Sequence, residues 1–224
     1  MTLRALGIAA GGGSALLRRM EDIADTLLNV HTPGALRVGI DKPGILKDTQ
    51  RDLDIAIDGD AFFRVTTVDG GVAFTRGGNL RRDAEGYIVT EDGLQLDPPL
   101  QVPAQVTKLT IGADGFVEGL DPEVPDAPMP LGQIELTRFS NPAGLWPVSP
   151  TLFVATAAAG ERVDGRPDEG LGAILQGKLE LPDVDPMREL AALARARHAF
   201  ELNNKVIQAA DEALQGIATL RRKP

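Results

Sequence analysis

The 224-residue chain has no cysteine, which removes disulfides, thiolate nucleophiles and cysteine metal sites. Histidine is almost absent too. His31 and His198 are the only two, and they form no metal-ligand spacing, so no metal or other cofactor is expected. Aromatics are scarce, with one Trp, one Tyr and seven Phe. Trp146 and Tyr87 are too few and too separated for a glycan-stacking platform, and the core must rest on Leu, Val, Ile and Phe. No run of eighteen apolar residues occurs, so no transmembrane segment is predicted. Gly11-Gly12-Gly13 and Arg18-Arg19 interrupt the N-terminal segment, which rules against a signal-peptide core. Concentrated positive charge is missing as well. Residues 37–186 hold 25 Asp+Glu against 13 Lys+Arg, which excludes a nucleic-acid surface there.

Two further features carry no chemistry. Asp52, Asp54, Asp58 and Asp60 are the densest carboxylate group, and alternation on a strand would put pairs on one face, as glycosidases and cation sites need. Asp58-Gly59-Asp60 reads first as a turn, however, and the calcium-loop pattern is not met. Gly11-Gly12-Gly13-Ser14 lacks the lysine and the preceding strand of a phosphate loop, and predicts a flexible or kinked helix start. No catalytic residue is assigned.

What is present reads as helix, long β region, helix. Leu16, Met20, Ile23, Leu27 and Val30 are spaced 4, 3, 4 and 3, one stripe of a helix that Thr32-Pro33-Gly34 stops. From residue 52 to 120 short runs rich in Ile, Val and Phe alternate with Asp58-Gly59, Asp69-Gly70, Glu85-Gly86, Asp92-Gly93 and Asp114-Gly115, which are hairpin signals. A Pro-rich loop is expected over 121–130, strands over 132–139 and 151–156, a loop over 160–172, and a last strand over 173–181. Asp185 and Pro186 then suit the cap and first turn of a long helix. Along it Leu193, Ala196, Phe200, Asn203, Ile207, Ala210, Leu214 and Ile217 repeat at 3 and 4, a heptad seam on a helix roughly 55 Å long. Asn203 is a polar group on that seam, a device that fixes register at some cost in stability.

The expected fold is α+β: a mainly antiparallel β domain, residues 37–182, inserted between an N-terminal helical segment, 1–36, and a C-terminal helix, 183–224. The two ends pair in a coiled-coil-like core. The candidate interface residues are Leu16, Met20, Ile23 and Leu27 on the first seam and Leu193, Phe200, Asn203, Ile207, Leu214 and Ile217 on the second.

These residues also resemble a known family. Arg4-Ala5-Leu6, Ala9-Ala10, Gly12, Ile23-Ala24, Leu27 to Val30 and Thr32-Pro33-Gly34 are similar to the N-terminal signature of the flagellar rod and hook proteins. Asp52 to Ile57 with Gly59-Asp60 and Phe62-Phe63 resemble its central strand motif, continued by Phe74-Thr75-Arg76, Gly78-Asn79, Asp83 to Gly86, Val89-Thr90 and Gly93. Asn141-Pro142, Gly144-Leu145, Leu175-Gln176-Gly177 and Leu179-Glu180 look most like the distal-rod members. Arg197, Ala199-Phe200-Glu201, Asn203 and Lys205-Val206-Ile207 match the C-terminal helix motif. The chain departs from the family at Asp25-Thr26 and His31, where Asn is usual, and its segment between Gly34 and Asp52 is shorter than in distal-rod proteins.

The resemblance implies a non-enzymatic subunit of the bacterial basal-body rod. Such a protein is exported by the flagellar type III apparatus without a cleaved signal peptide. It polymerises in the periplasm as a homo-oligomeric helical array that joins other rod and hook subunits, transmits torque and encloses the export channel. The near alternative is a proximal-rod or hook-type paralogue. The alternative from another class is a periplasmic glycan-binding or peptidoglycan-processing domain, which needs paired acids in a cleft or an aromatic platform.

Overall fold

The computed structural model of the protein describes residues 2–35, 44–124 and 127–220. Within the helices it describes side chains from Gly11 to Leu28 and from Pro186 to Ala213, together with Gln215. The chain divides into two compact units, Met1–Val30 with Val184–Pro224, and His31–Asp183.

The first unit holds two helices, α1 (Thr2–Leu28) and α2 (Pro186–Leu220), which pack against each other. α2 starts where its cap signal lies: the backbone N–H groups of Met187 and Arg188 donate to Asp185 Oδ1 at 2.9 and 3.4 Å. α1 corrects one expectation. The triple glycine is not a helix start but lies in the middle of a continuous helix that begins at Thr2.

The second unit is built from short antiparallel strands. In chain order they are β1 (Ile45–Asp48), β2 (Ile55–Asp58), β3 (Phe62–Thr66), β4 (Val72–Thr75), β5 (Arg81–Arg82), β6 (Ile88–Val89), β7 (Gln95–Leu96) and β8 (Lys108–Ile111). There follow β9 (Phe116–Leu120), β10 (Met129–Gln133), β11 (Leu136–Phe139), β12 (Trp146–Pro147), β13 (Leu152–Val154), β14 (Arg162–Gly165), β15 (Ala173–Gln176) and β16 (Lys178–Leu181). The largest sheet runs β12-β13-β4-β3-β7-β6-β5, with β11 pairing both β3 and β14. A β10-β9-β8 sheet and the pairs β1-β16 and β15-β2 complete the unit.

The hairpin signals are used as turns. Asp114-Gly115 links β8 to β9, with Gly115 at φ +82°, a conformation that costs glycine nothing and L side chains much. Several boundaries differ from expectation, and β10 already begins at Met129, inside the loop expected over 121–130. The run 173–181 is two strands, because Gly177 at φ +71° breaks it and donates its N–H to the Asp54 carbonyl at 2.7 Å. The stretch 160–172 contains β14, since Arg162–Gly165 finds a free edge on β11. The run 132–139 is divided between β10 and β11. The shortened stretch after Gly34 falls partly outside the described residues.

Alternation on β3 separates two cores. Phe63 and Val65 point into the main core with Ile55, Ile57, Leu80, Leu96 and Leu136. Phe62 points the other way, into a smaller cluster with Phe74, Phe139, Leu145, Phe153 and Ala159. There the rings meet edge to face, Phe74–Phe139 at 4.8 Å and Phe62–Phe139 at 6.0 Å between centroids. Four of the seven phenylalanines therefore form one cluster, which is how a chain poor in aromatics covers the second face of its largest sheet.

Candidate assembly interface

Along the described part of α1 the stripe is sheltered. Gly13 and Ile23 are buried, Leu16, Met20 and Leu27 are half-buried, as is Val30 just past the helix end, and Ala15, Arg18, Arg19 and Glu21 face solvent. On α2, Ala196 is buried and Leu193, Phe200, Asn203, Ile207 and Ala210 are half-buried. The side chains of Leu214 and Ile217 lie outside the described residues. Among the described residues the heptad positions are buried or half-buried.

Two features of this unit were missed. The first is Gly13. A methyl group built there would stand 3.1 Å from Asn203 Nδ2 and 3.9 Å from the Phe200 ring, and one on Gly12 would stand 3.8 Å from Asn203 Oδ1. Each glycine inside a helix costs roughly 1 kcal/mol relative to alanine, and at Gly13 the bare backbone gives α2 a close approach in return. The spacing held the signal, since Gly13 is three residues before Leu16. The second is the apolar surface left uncovered. Leu202 and Val206, one turn apart and turned away from the seam, are 49% and 59% exposed. Leu190 on α2 and Leu17 and Leu28 on α1 are exposed as well.

The β unit contains two polar centres. Arg76 and Glu180 are a buried pair, Nη2 to Oε2 at 2.7 Å and Nε to Oε2 at 2.8 Å. Arg76 Nη1 donates to the carbonyls of Gly59 and Ala61, at 2.8 and 2.6 Å. Glu180 Oε1 accepts the Gly44 N–H at 2.6 Å, and the Glu180 carbonyl accepts the Gly34 N–H at 2.9 Å. The pair therefore fastens the incoming chain at 34 and 44, the β2–β3 turn and the outgoing β16 to one point. Gln176 acts similarly, donating to the carbonyls of Asp52 and Leu109 and accepting from Ile111 N–H.

The second centre lies around Arg64, which bonds Asp97 at 2.6 Å and Glu135 at 3.0 Å, with Asp164 at 3.6 Å. Burial opposes the Arg64 charge, but these carboxylates outweigh it and raise its pKa. Burial likewise pushes Asp164 up, and the bonds from Thr137 and Arg162 with the charges of Arg162 and Arg64 reverse this, leaving its carboxyl below the ordinary range.

The hydrogen bonds and ion pairs of both centres run to groups of the same β unit. Of the four sequence-clustered aspartates, Asp54 is buried 3.4 Å from Arg51, while Asp52, Asp58 and Asp60 are exposed. Among the described residues no group of three or more His, Asp or Glu is placed to hold a metal. Trp146 and Tyr87 do not join into a platform: β12 is at one end of the large sheet, and Tyr87 precedes β6 near the other. Among the described residues no helix is long and apolar enough to cross a membrane.

Comparison with known proteins gives this architecture its class. The profile of the flagellar hook protein FlgE/F/G D1 domain matches residues 56–119, within the β unit. That of the flagellar basal body rod FlgEFG protein C-terminal region matches residues 175–220, the last strands and α2. A β unit carried between two terminal helices, with these matches, defines a flagellar hook and rod protein. The chain is similar to the flagellar basal-body rod protein FlgG of Caulobacter vibrioides, 37% identical over 198 residues that span 86% of this chain and 75% of that protein. It is 29% identical to FlgG of Borreliella burgdorferi over an alignment of 265 residues covering 99% of this chain and all of the other. FlgG of Bacillus subtilis is 31% identical over 224 residues, 97% of this chain and 80% of that one. The chain belongs to the flagellar basal-body rod protein family, on the FlgG-like side.

Proposed function

We propose that the protein is a structural subunit of the bacterial flagellar basal-body rod, of the distal-rod type, that polymerises into a helical tubular shaft. The observation that carries this reading is the helical unit. Its two stripes shelter each other, yet Leu202, Val206, Leu190 and Leu28 stay in solvent. Burying such side chains fully is worth about 1.5–3 kcal/mol each, so a partner that covers them is strongly favoured. In a rod that partner is the next subunit, met through a heterologous contact that repeats without closing.

In this reading the terminal segments, residues 1–36 and 183–224, form a coiled-coil-like inner layer around the export channel, and residues 37–182 form the outer layer. Leu16, Met20, Ile23 and Leu27 with Leu193, Phe200, Asn203, Ile207, Leu214 and Ile217 hold the inner layer. The subunit reaches the periplasm through the flagellar type III apparatus without a cleaved signal peptide, meets other rod and hook subunits there, and carries torque rather than catalysing a reaction.

The test is electron microscopy of basal bodies from cells whose only copy carries Phe200→Asp and Ile207→Asp. Rods truncated at a definite level are expected. Full-length rods and normal swimming refute the reading. Truncation closer to the inner membrane than the distal segment assigns the chain to the proximal rod instead.

A further inference from the structure

Two helices tied to one β-rich insert must run antiparallel if they touch along their length, and the stripes agree. Gly13 lies fifteen residues before Leu28, and Phe200 and Asn203 lie fourteen and seventeen after Pro186. From Gly13 toward the C-terminus the α1 stripe steps 3, 4, 3 and 4 through Leu16, Met20, Ile23 and Leu27. From Asn203 toward the N-terminus the α2 stripe makes the same steps through Phe200, Ala196, Leu193 and Glu189. Facing layers follow: Leu16 with Phe200, Met20 with Ala196, Ile23 with Leu193. Bulk is complementary where Met20 meets Ala196.

A repeat of this kind does not choose its own alignment. Sliding one helix by a heptad, roughly 10 Å, again sets apolar layers opposite each other. One layer differs. The Asn203 amide sits over Gly12 and Gly13, where any side chain on Gly13 would press on Nδ2. A heptad slide would take the amide off the glycines and set it against Met20 in one direction or Leu6 in the other. There it would face an apolar side chain and leave the glycine notch unfilled, which a half-buried amide disfavours.

We infer that Gly13 and Asn203 form a register lock, a notch and key that select one alignment of α1 on α2. They are positioning residues. The pairing lies within one chain and stands apart from the assembly reading, but it decides which apolar side chains of the two helices lie side by side on the outer surface.

The absence of cysteine allows a direct test on the full chain. Disulfides need Cα atoms within about 7 Å. The pair Met20→Cys with Ala196→Cys therefore reports the native layer, and Leu27→Cys with Ala196→Cys reports a one-heptad slide. Each is read as an intramolecular bond that changes monomer mobility on a denaturing gel. In the parent only the first bond is expected. Asn203→Ala, which removes the key and cannot clash, is expected to let the second form in a share comparable to the first. Gly13→Leu, which fills the notch, is expected to shift the yield the same way. If Asn203→Ala lowers thermal stability while the Met20–Ala196 bond stays the only one, the pair is ordinary packing and the proposal is overturned. Failure of that bond in the parent overturns it as well.

Discussion

The two units of this chain solve the burial of apolar side chains differently. In the β unit Ile55, Ala56, Phe63, Val65 and Leu136 have no exposure at all, and sheets on several sides close the core. In the helical unit the most sheltered apolar side chains described are Ile23 and Ala196, and large ones nearby stand in solvent. The cause is geometric. A layer of two helices can hide only the stripe each turns to the other, whereas packed sheets enclose a volume. The β unit closes a core of its own, although Trp146, Val148 and Ile45 stand in solvent there too, while the helical unit encloses none, which is the physical basis for reading the helices as the assembling part.

Removing the buried clamp is the most severe way to break the contrast. Glu180→Leu leaves the Arg76 guanidinium buried without its charge partner and Gly44 N–H without its acceptor. Losing one partner of a buried pair costs about 3–5 kcal/mol, and calorimetry should show the β unit's transition falling by that much. A double substitution Arg76→Met with Glu180→Leu should recover part of the loss, because two apolar groups leave no orphan charge.

The next effect compares the cores directly. Phe63→Ala opens a cavity in a fully closed site and should cost about 3–5 kcal/mol. Phe200→Ala, on a half-buried stripe, should cost the isolated chain clearly less, about 1–2 kcal/mol. Equal losses in chemical denaturation of the two variants would mean that the helical unit is as closed as the β unit.

The same contrast explains what the sequence disclosed. Spacing of Leu, Ile and Phe at 3 and 4 gave both helical stripes, because one face of a helix is a purely local property. The Asp-Gly turns were legible for the same reason. Pairing of distant segments was not. Nothing near Arg162 announces that it will lie beside Phe139, and nothing near Arg76 announces Glu180, over a hundred residues away. The triple glycine reads from sequence as a flexible or kinked helix start because glycine signals flexibility when seen alone and close approach only when the opposing helix is in place.

A smaller effect concerns the outer face of α2. Leu202→Lys and Val206→Lys touch no packed stripe and should leave thermal stability of the single chain within about 0.5 kcal/mol. Each removes a side chain that is half exposed, so the burial forgone when subunits join is worth about 1 kcal/mol per residue. Polymer formation, followed by sedimentation, should need roughly thirtyfold more protein for the double variant. If assembly is unchanged, this face is not buried in the polymer, and the missing layer must sit against Leu17 and Leu28 instead.

The smallest effect isolates the polar rim of the β unit. Asp164 has its folded pKa lowered, so its ionised form favours the folded state. The contribution is therefore present in full above about pH 5 and is lost as pH falls past the ordinary aspartate value, near 3.9, and through the lowered folded one. Asp164→Asn removes the titration while keeping an acceptor for Thr137. Because the carboxylate is partly solvated, the difference from wild type at neutral pH should be only about 0.5–1 kcal/mol. Stability curves of the two proteins should run parallel above pH 5 and converge in acid. A gap that persists to the lowest pH would mean that Asp164 acts through the shape of its hydrogen bonds to Thr137 and Arg162, not through its charge.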